Sequence, residues 1–109
     1  MGKYDKHFTY HERSEIWREI NNDSDVYRMF EICKSGINMV KEIAPKDRIR
    51  EDIVDIEKDL GKIEIAFQRI NEFPQWFTFN DEDILKLKGD FANLEKECQK
   101  LNMQRVSWN

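Results

Sequence analysis

Glycine, serine and cysteine are all scarce in this 109-residue chain, and each scarcity removes a class of chemistry. The four glycines are too scattered to form a loop that cradles phosphate. Serine occurs only at positions 14, 24, 35 and 107, and no Ser-His-Asp order or Cys-His pair accompanies it. Cys33 and Cys98 stand outside any CxxC pair, and each falls on an apolar helical stripe, so they read as buried reduced thiols rather than zinc ligands. No apolar run approaches the roughly 18 residues of a membrane span, and MGKYDKH at the start has no apolar signal core, so a cytosolic protein is expected. An excess of positive charge is missing too. A net charge of −4 argues against general nucleic-acid affinity, so any anion site has to be local.

Apolar residues make up 39% of the chain and charged residues 37%, which limits a single domain of this size to a thin core between helices. Residues 1–11 read as a polar and aromatic arm, and residues 12–72 as a hairpin core. In that core ERSEIWREI is a short amphipathic helix with Ile16, Trp17 and Ile20 on one face. Asp23 or Ser24 is placed to cap the next helix, which the stripe Val26, Met29, Phe30, Cys33, Ile37, Val40 and Ala44 carries as far as Pro45. Ile49, Ile53, Ile56, Leu60, Ile63, Phe67 and Ile70 then step by four and three without interruption. That heptad seam predicts pairing with the preceding helix, with other chains, or with both.

Residues 73–80, FPQWFTFN, form an aromatic elbow around Pro74, read either as a buried cap on the open hairpin or as an exposed patch for a partner. Asn80 or Asp81 caps a last helix over 81–105, with a second stripe of Ile84, Leu87, Phe91, Leu94, Cys98 and Leu101. The predicted class is all-α: a helical hairpin with a short N-terminal helix and an additional C-terminal helix, forming a small bundle suited to oligomerisation.

Candidate chemistry is sparse. His7, His11 and Glu15 are four apart, but Phe-Thr-Tyr between the histidines is a poor helix core and no HExxH accompanies them, so neither a metal nor another cofactor is expected. Asp52, Asp55 and Asp59 fall on the side of their helix away from the isoleucine seam, which reads as a solvated face rather than a catalytic cluster. The arm is locally positive, with Lys3, Lys6 and Arg13 against Asp5 and Glu12. Phe8 and Tyr10 supply flat surfaces for a base, or staple the arm to the hairpin.

FTYH at 8–11, EIAPKDR around Pro45 and Arg48, and AFQRINE at 66–72 resemble, in order and spacing, the helical-hairpin family of phage nucleotide sponges that counter CBASS and Thoeris immunity. Phe8, Thr9, Tyr10, His11, Pro45, Arg48, Asn71 and Glu72 keep that pattern. It is broken at Asp47-Arg48-Ile49 and GKIEIAFQRI, and residues 73–109 have no counterpart in it. The resemblance implies a homo-oligomeric, non-enzymatic protein that holds a cyclic oligonucleotide or cyclic ADP-ribose-type signal in pockets between protomers. On that expectation Tyr10 stacks on a base and His11 and Arg48 face phosphate; Arg69, one position from the family's terminal arginine, and Lys6, chosen on its charge alone, are added as further phosphate contacts. The alternative is a protein–protein module acting through the heptad seams and the elbow, with no small ligand.

Overall fold

The computed structural model describes residues 2–107. Within them the chain is a compact all-α domain of four helices with no strand. No helix among these residues is long and apolar enough to cross a membrane. Helix α1 spans Tyr10–Glu19, α2 Asp23–Lys41, α3 Arg50–Glu72 and α4 Asp81–Ser107, and single 3-10 turns occur at Asp5–His7, Pro45–Asp47 and Pro74–Trp76.

Helix α3 is central and packs against α2, α4, α1 and the first turn. Its buried residues include Ile53, Ile56, Leu60, Ile63 and Ile70, as the seam predicts, and also Gly61, Ile65, Ala66 and Arg69. A helix surrounded by neighbours has to bury more than one stripe, which explains the wider apolar face. Ile49 departs from the expected seam. It is the N-cap residue of α3, with its N–H donating to Asp52 at 2.9 Å, and its side chain is exposed.

Local signals set the helix ends. Asn22, rather than Asp23 or Ser24, caps α2 by accepting from the N–H of Asp25, and α2 stops at Lys41, short of Ala44. Asn80 and Asp83 exchange side-chain-to-backbone bonds at the start of α4. The elbow is tied to the start of α2, where the backbone N–H and the hydroxyl of Thr78 both donate to Asp23. Phe77 is buried, and only Trp76 among the elbow rings is substantially exposed, which matches a cap on the bundle. Cys33 and Cys98 are free and buried, and desolvation pushes both thiols up to about 12.

The N-terminal segment is docked against the bundle. Tyr4 lies in the core and its hydroxyl donates to Glu95 at 2.6 Å, while Glu64 accepts from the N–H groups of Lys3 and Tyr4. The Phe8 ring packs on α3 at Gly61, where an added Cβ would sit 2.5 Å from its edge. The same contact yields a prediction. Alanine at position 61 gains about 1 kcal/mol of helix propensity but loses about 1–3 kcal/mol to overpacking, so Gly61→Ala is expected to destabilise the fold in urea unfolding. In a Phe8→Ala background the penalty should shrink by about 1 kcal/mol or more. An equal penalty in both backgrounds would show that the ring is not what excludes the methyl.

Asp59 departs from the expected solvated face. It is half-buried in the groove between α2 and α3, its carboxylate 3.2 Å from where a Cβ on Gly36 would lie, and desolvation raises its pKa, with Lys62 acting in the opposite direction. The folded state therefore holds this proton more tightly than the unfolded chain. The group's contribution to stability is full below the unfolded carboxylate range and is lost as pH rises through the raised folded value. Asp59→Asn is expected to raise Tm at pH 7, with the advantage disappearing below about pH 3.9. A pH-independent difference in Tm would assign the effect to packing.

Candidate functional site: a groove between α1 and α3

Thr9 and Glu12 set the site by starting α1. Glu12 donates its N–H to the Thr9 hydroxyl at 3.1 Å, and the N–H of Thr9 donates back to the Glu12 carboxylate at 2.9 Å. These two bonds form a capping box and hold the Glu12 carboxyl below its ordinary value. FTYH is therefore a helix start, and Tyr10 is the first helical residue. With spacings of three and four, Tyr10, Arg13, Ser14, Trp17 and Arg18 occupy one face of α1.

That face, together with Asp5 and with Ile65 and Gln68 of α3, lines an open groove of about 600 Å³. Tyr10 is 79% exposed, so it does not staple the arm as Phe8 does. Arg13 is weakly held, since its only ion pair among the described residues is a long one of 3.5 Å to Asp5 and its Nε has no hydrogen-bond partner. Arg18 makes no ion pair among the described residues. Two guanidiniums against one carboxylate make the groove locally positive on an acidic chain. The Tyr10 and Trp17 rings add surfaces for an aromatic group, and Ser14 and Gln68 add a hydroxyl and an amide.

Arg69 stands behind Trp17 and does not line the groove, which departs from the phosphate-facing role expected of it. It is buried, and its guanidinium lies 4.6–4.8 Å from the ring centroids of Trp17, Phe73 and Trp76. It donates to the carbonyl of Ile20 at 3.0 Å and to the side chain of Asn21 at 3.2 Å. Three ring faces and two oxygens replace the water that the charge has lost, and they fix Trp17 at the groove.

The other expected site residues lie elsewhere. His11 is on the next flank of α1, exposed and 3.0 Å from Glu15. Lys6 is exposed beside a separate small groove with Lys3, Tyr4 and Glu57. Arg48 is buried at the turn between α2 and α3, donating from Nε to the carbonyls of Val40 and Ile43 and from Nη1 to Gln104. Its own groove, about 350 Å³ with Lys41, Lys100 and Glu97, is separated from the α1 groove by the length of α3 between Arg50 and Ile65, about 22 Å. One chain therefore does not bring Tyr10 and Arg48 to one small ligand. Among the described residues, no three His, Cys, Asp or Glu side chains converge as metal ligands.

Arg13 was visible in the sequence as part of a positive arm, but Ser14, Trp17, Arg18 and Gln68 were not grouped with it. The signal that would have grouped them is Thr-x-x-Glu at 9–12, which moves the helix start back and brings Tyr10 into register with Arg13, Trp17 and Arg18. Comparison with protein-family models, curated proteins and solved structures gives no match.

Arg48 closes the C-terminal end of α2, so Arg48→Ala is expected to cost about 2–3 kcal/mol by urea unfolding, the range for removing a charged donor from buried carbonyls. A variant as stable as the parent would show that the end of α2 does not depend on the Arg48 bonds to Val40 and Ile43.

Proposed function

We propose that this protein is a non-enzymatic sponge of phage type, which binds a cyclic nucleotide immune signal in the α1–α3 groove and withholds it intact from its receptor. The observation that carries this reading is the exposed Tyr10 ring beside Arg13 and Arg18 in a locally positive groove on a chain of net charge −4. A base stacks on Tyr10, phosphates meet the two guanidiniums, and Ser14 and Gln68 bond sugar or phosphate oxygens. The pairing of α2 and α3 into a hairpin with short N-terminal and long C-terminal helices, and the resemblance over FTYH, EIAPKDR and AFQRINE, support the same reading. On this reading the protein acts in the host cytosol as a homo-oligomer. Arg48 reaches a ligand in this groove only from a second copy, and His11 stands at the rim.

A second reading, a protein-interaction module without a small ligand, is favoured by the exposed Trp76 at the elbow and by Leu85 and Met103 on α4. One experiment separates the two. Calorimetric titration with a panel of cyclic di- and trinucleotides and cyclic ADP-ribose isomers, followed by denaturation and chromatography, is expected to show tight binding and intact ligand. Tyr10→Ala is expected to cost about 1–3 kcal/mol of affinity, the range for a base on an aromatic ring. Arg13→Ala and Arg18→Ala are each expected to weaken binding about tenfold or more with the fold unchanged, about 1.4 kcal/mol of charge-assisted bonding. Silence across the panel from folded protein favours the interaction module. Converted ligand would make the protein an enzyme.

A further inference from the structure

We infer that the outward face of α4 is a self-complementary interface on which a second copy of the chain docks antiparallel about a two-fold axis. This rests on α4 alone and stands whether or not the α1–α3 groove binds a nucleotide. The core face of α4 buries Leu87, Leu94, Cys98 and Leu101. Opposite it runs a second series at steps of four and three, Leu85, Gly89, Ala92, Lys96, Gln99 and Met103, and every member is exposed. Leu85 is 71% and Met103 69% exposed, one near each end of the series. Gly89 faces open space, since a Cβ there meets nothing within 4 Å. The centre of the face is thus flat enough for two helices to approach closely, and the stem of Lys96 can lie over the partner's Leu85 with its ammonium in water.

Charge decides the occupant and its direction. Along one flank of the series lie Glu82, Lys86, Glu97 and Lys100, and along the other Lys88 and Glu95. When a second α4 runs antiparallel with the crossing near Gly89 and Ala92, Glu82 meets Lys100, Lys86 meets Glu97 and Lys88 meets Glu95, each pair occurring twice. In a parallel pair the two opposite flanks face each other at equal height, which sets Lys86 beside Lys88 and Glu97 beside Glu95. Glu82, Lys86, Lys88 and Lys100 form no ion pair among the described residues of a single chain. Glu97 is 2.9 Å from Lys41 and Glu95 is 3.2 Å from Lys3, so those two carboxylates would be shared. Antiparallel packing also aligns the two helix dipoles favourably. A two-fold pair of this kind is closed, so it stops at two copies.

The test is sedimentation equilibrium of the full chain at about 100 μM, where a dimer of micromolar affinity is well populated. The expected mass is twice the 13.2 kDa of one chain. Glu82→Lys and Lys100→Glu singly are each expected to weaken association about tenfold by placing like charges across the two-fold, and the double swap is expected to restore it. Ala92→Arg should give a monomer with the parent's helical content, because Ala92 is exposed and contributes nothing to the core. A parent chain that is monomeric at this concentration overturns the proposal and leaves the face to a different partner. So does a dimer that neither single reversal nor Ala92→Arg weakens.

Discussion

The C-terminal ends of α1 and α2 are each closed by a buried arginine carried by α3 or by its approach. Arg48, just before α3, takes the carbonyls of Val40 and Ile43. Arg69, near the end of α3, takes the carbonyl of Ile20 and the side chain of Asn21 at the junction with α1. A core this thin cannot shield helix ends with apolar bulk, and unpaired carbonyls at a buried end cost about 1–3 kcal/mol each. A guanidinium carries several donors at the end of a long stem, so a single side chain can serve two acceptors while its stem fills space between helices. Neither arginine has a carboxylate partner among the described residues. Each stays charged on neutral oxygens, and Arg69 also on three ring faces. The end of α2 is thereby fixed against the start of α3, and the end of α1 against the close of α3, where Arg69 also holds Trp17.

This clamp explains which parts of the fold could be read from the sequence. The stripes of α2, α3 and α4 were legible because burial of apolar side chains follows helical period, and Val26, Met29, Cys33, Ile53, Leu60, Leu94 and Leu101 lie where that period puts them. Arg48 and Arg69 were legible only as cations, and a cation in a sequence reads as a surface group or an anion ligand. Their partners are backbone carbonyls, which carry no residue identity and leave no pattern. Asp59 was misread for a related reason. It lies off the isoleucine seam, but Gly36 on α2 lets the two helices come close there and half-covers it. Tyr4 gave no periodic signal at all, because a single turn holds it in place by bonds to Glu64 and Glu95 from two different helices.

The candidate groove was half legible. Tyr10 and a local positive charge stood out, but the face they belong to depends on where α1 begins. Starting the helix at Tyr10 rather than at Glu12 gives Tyr10 a fixed direction, one turn before Arg13 and Ser14 and so on their face. With the capping box in place, α1 divides its charges. Glu12, Glu15 and Glu19 lie on the side where Lys58 and Lys62 of α3 face them, and Arg13 and Arg18 lie on the groove side. The acidic character of the chain is thus partly answered within the fold, and the groove cations are left for something outside it.

That division bears on which ligands the groove can hold. Screening at physiological salt confines the influence of a surface charge to about 8 Å, less than the 10–12 Å width of a helix with its side chains. A compact anion seated beside Arg13 and Arg18 therefore feels those two charges and Asp5 far more than the carboxylates across α1. An extended polyanion such as a nucleic-acid strand has to run beyond the groove, and there it meets a surface whose net charge repels it. Under the proposed function the arrangement favours small ligands that concentrate an aromatic group and negative charge within one groove length over long ones, by a charge balance that no single residue controls.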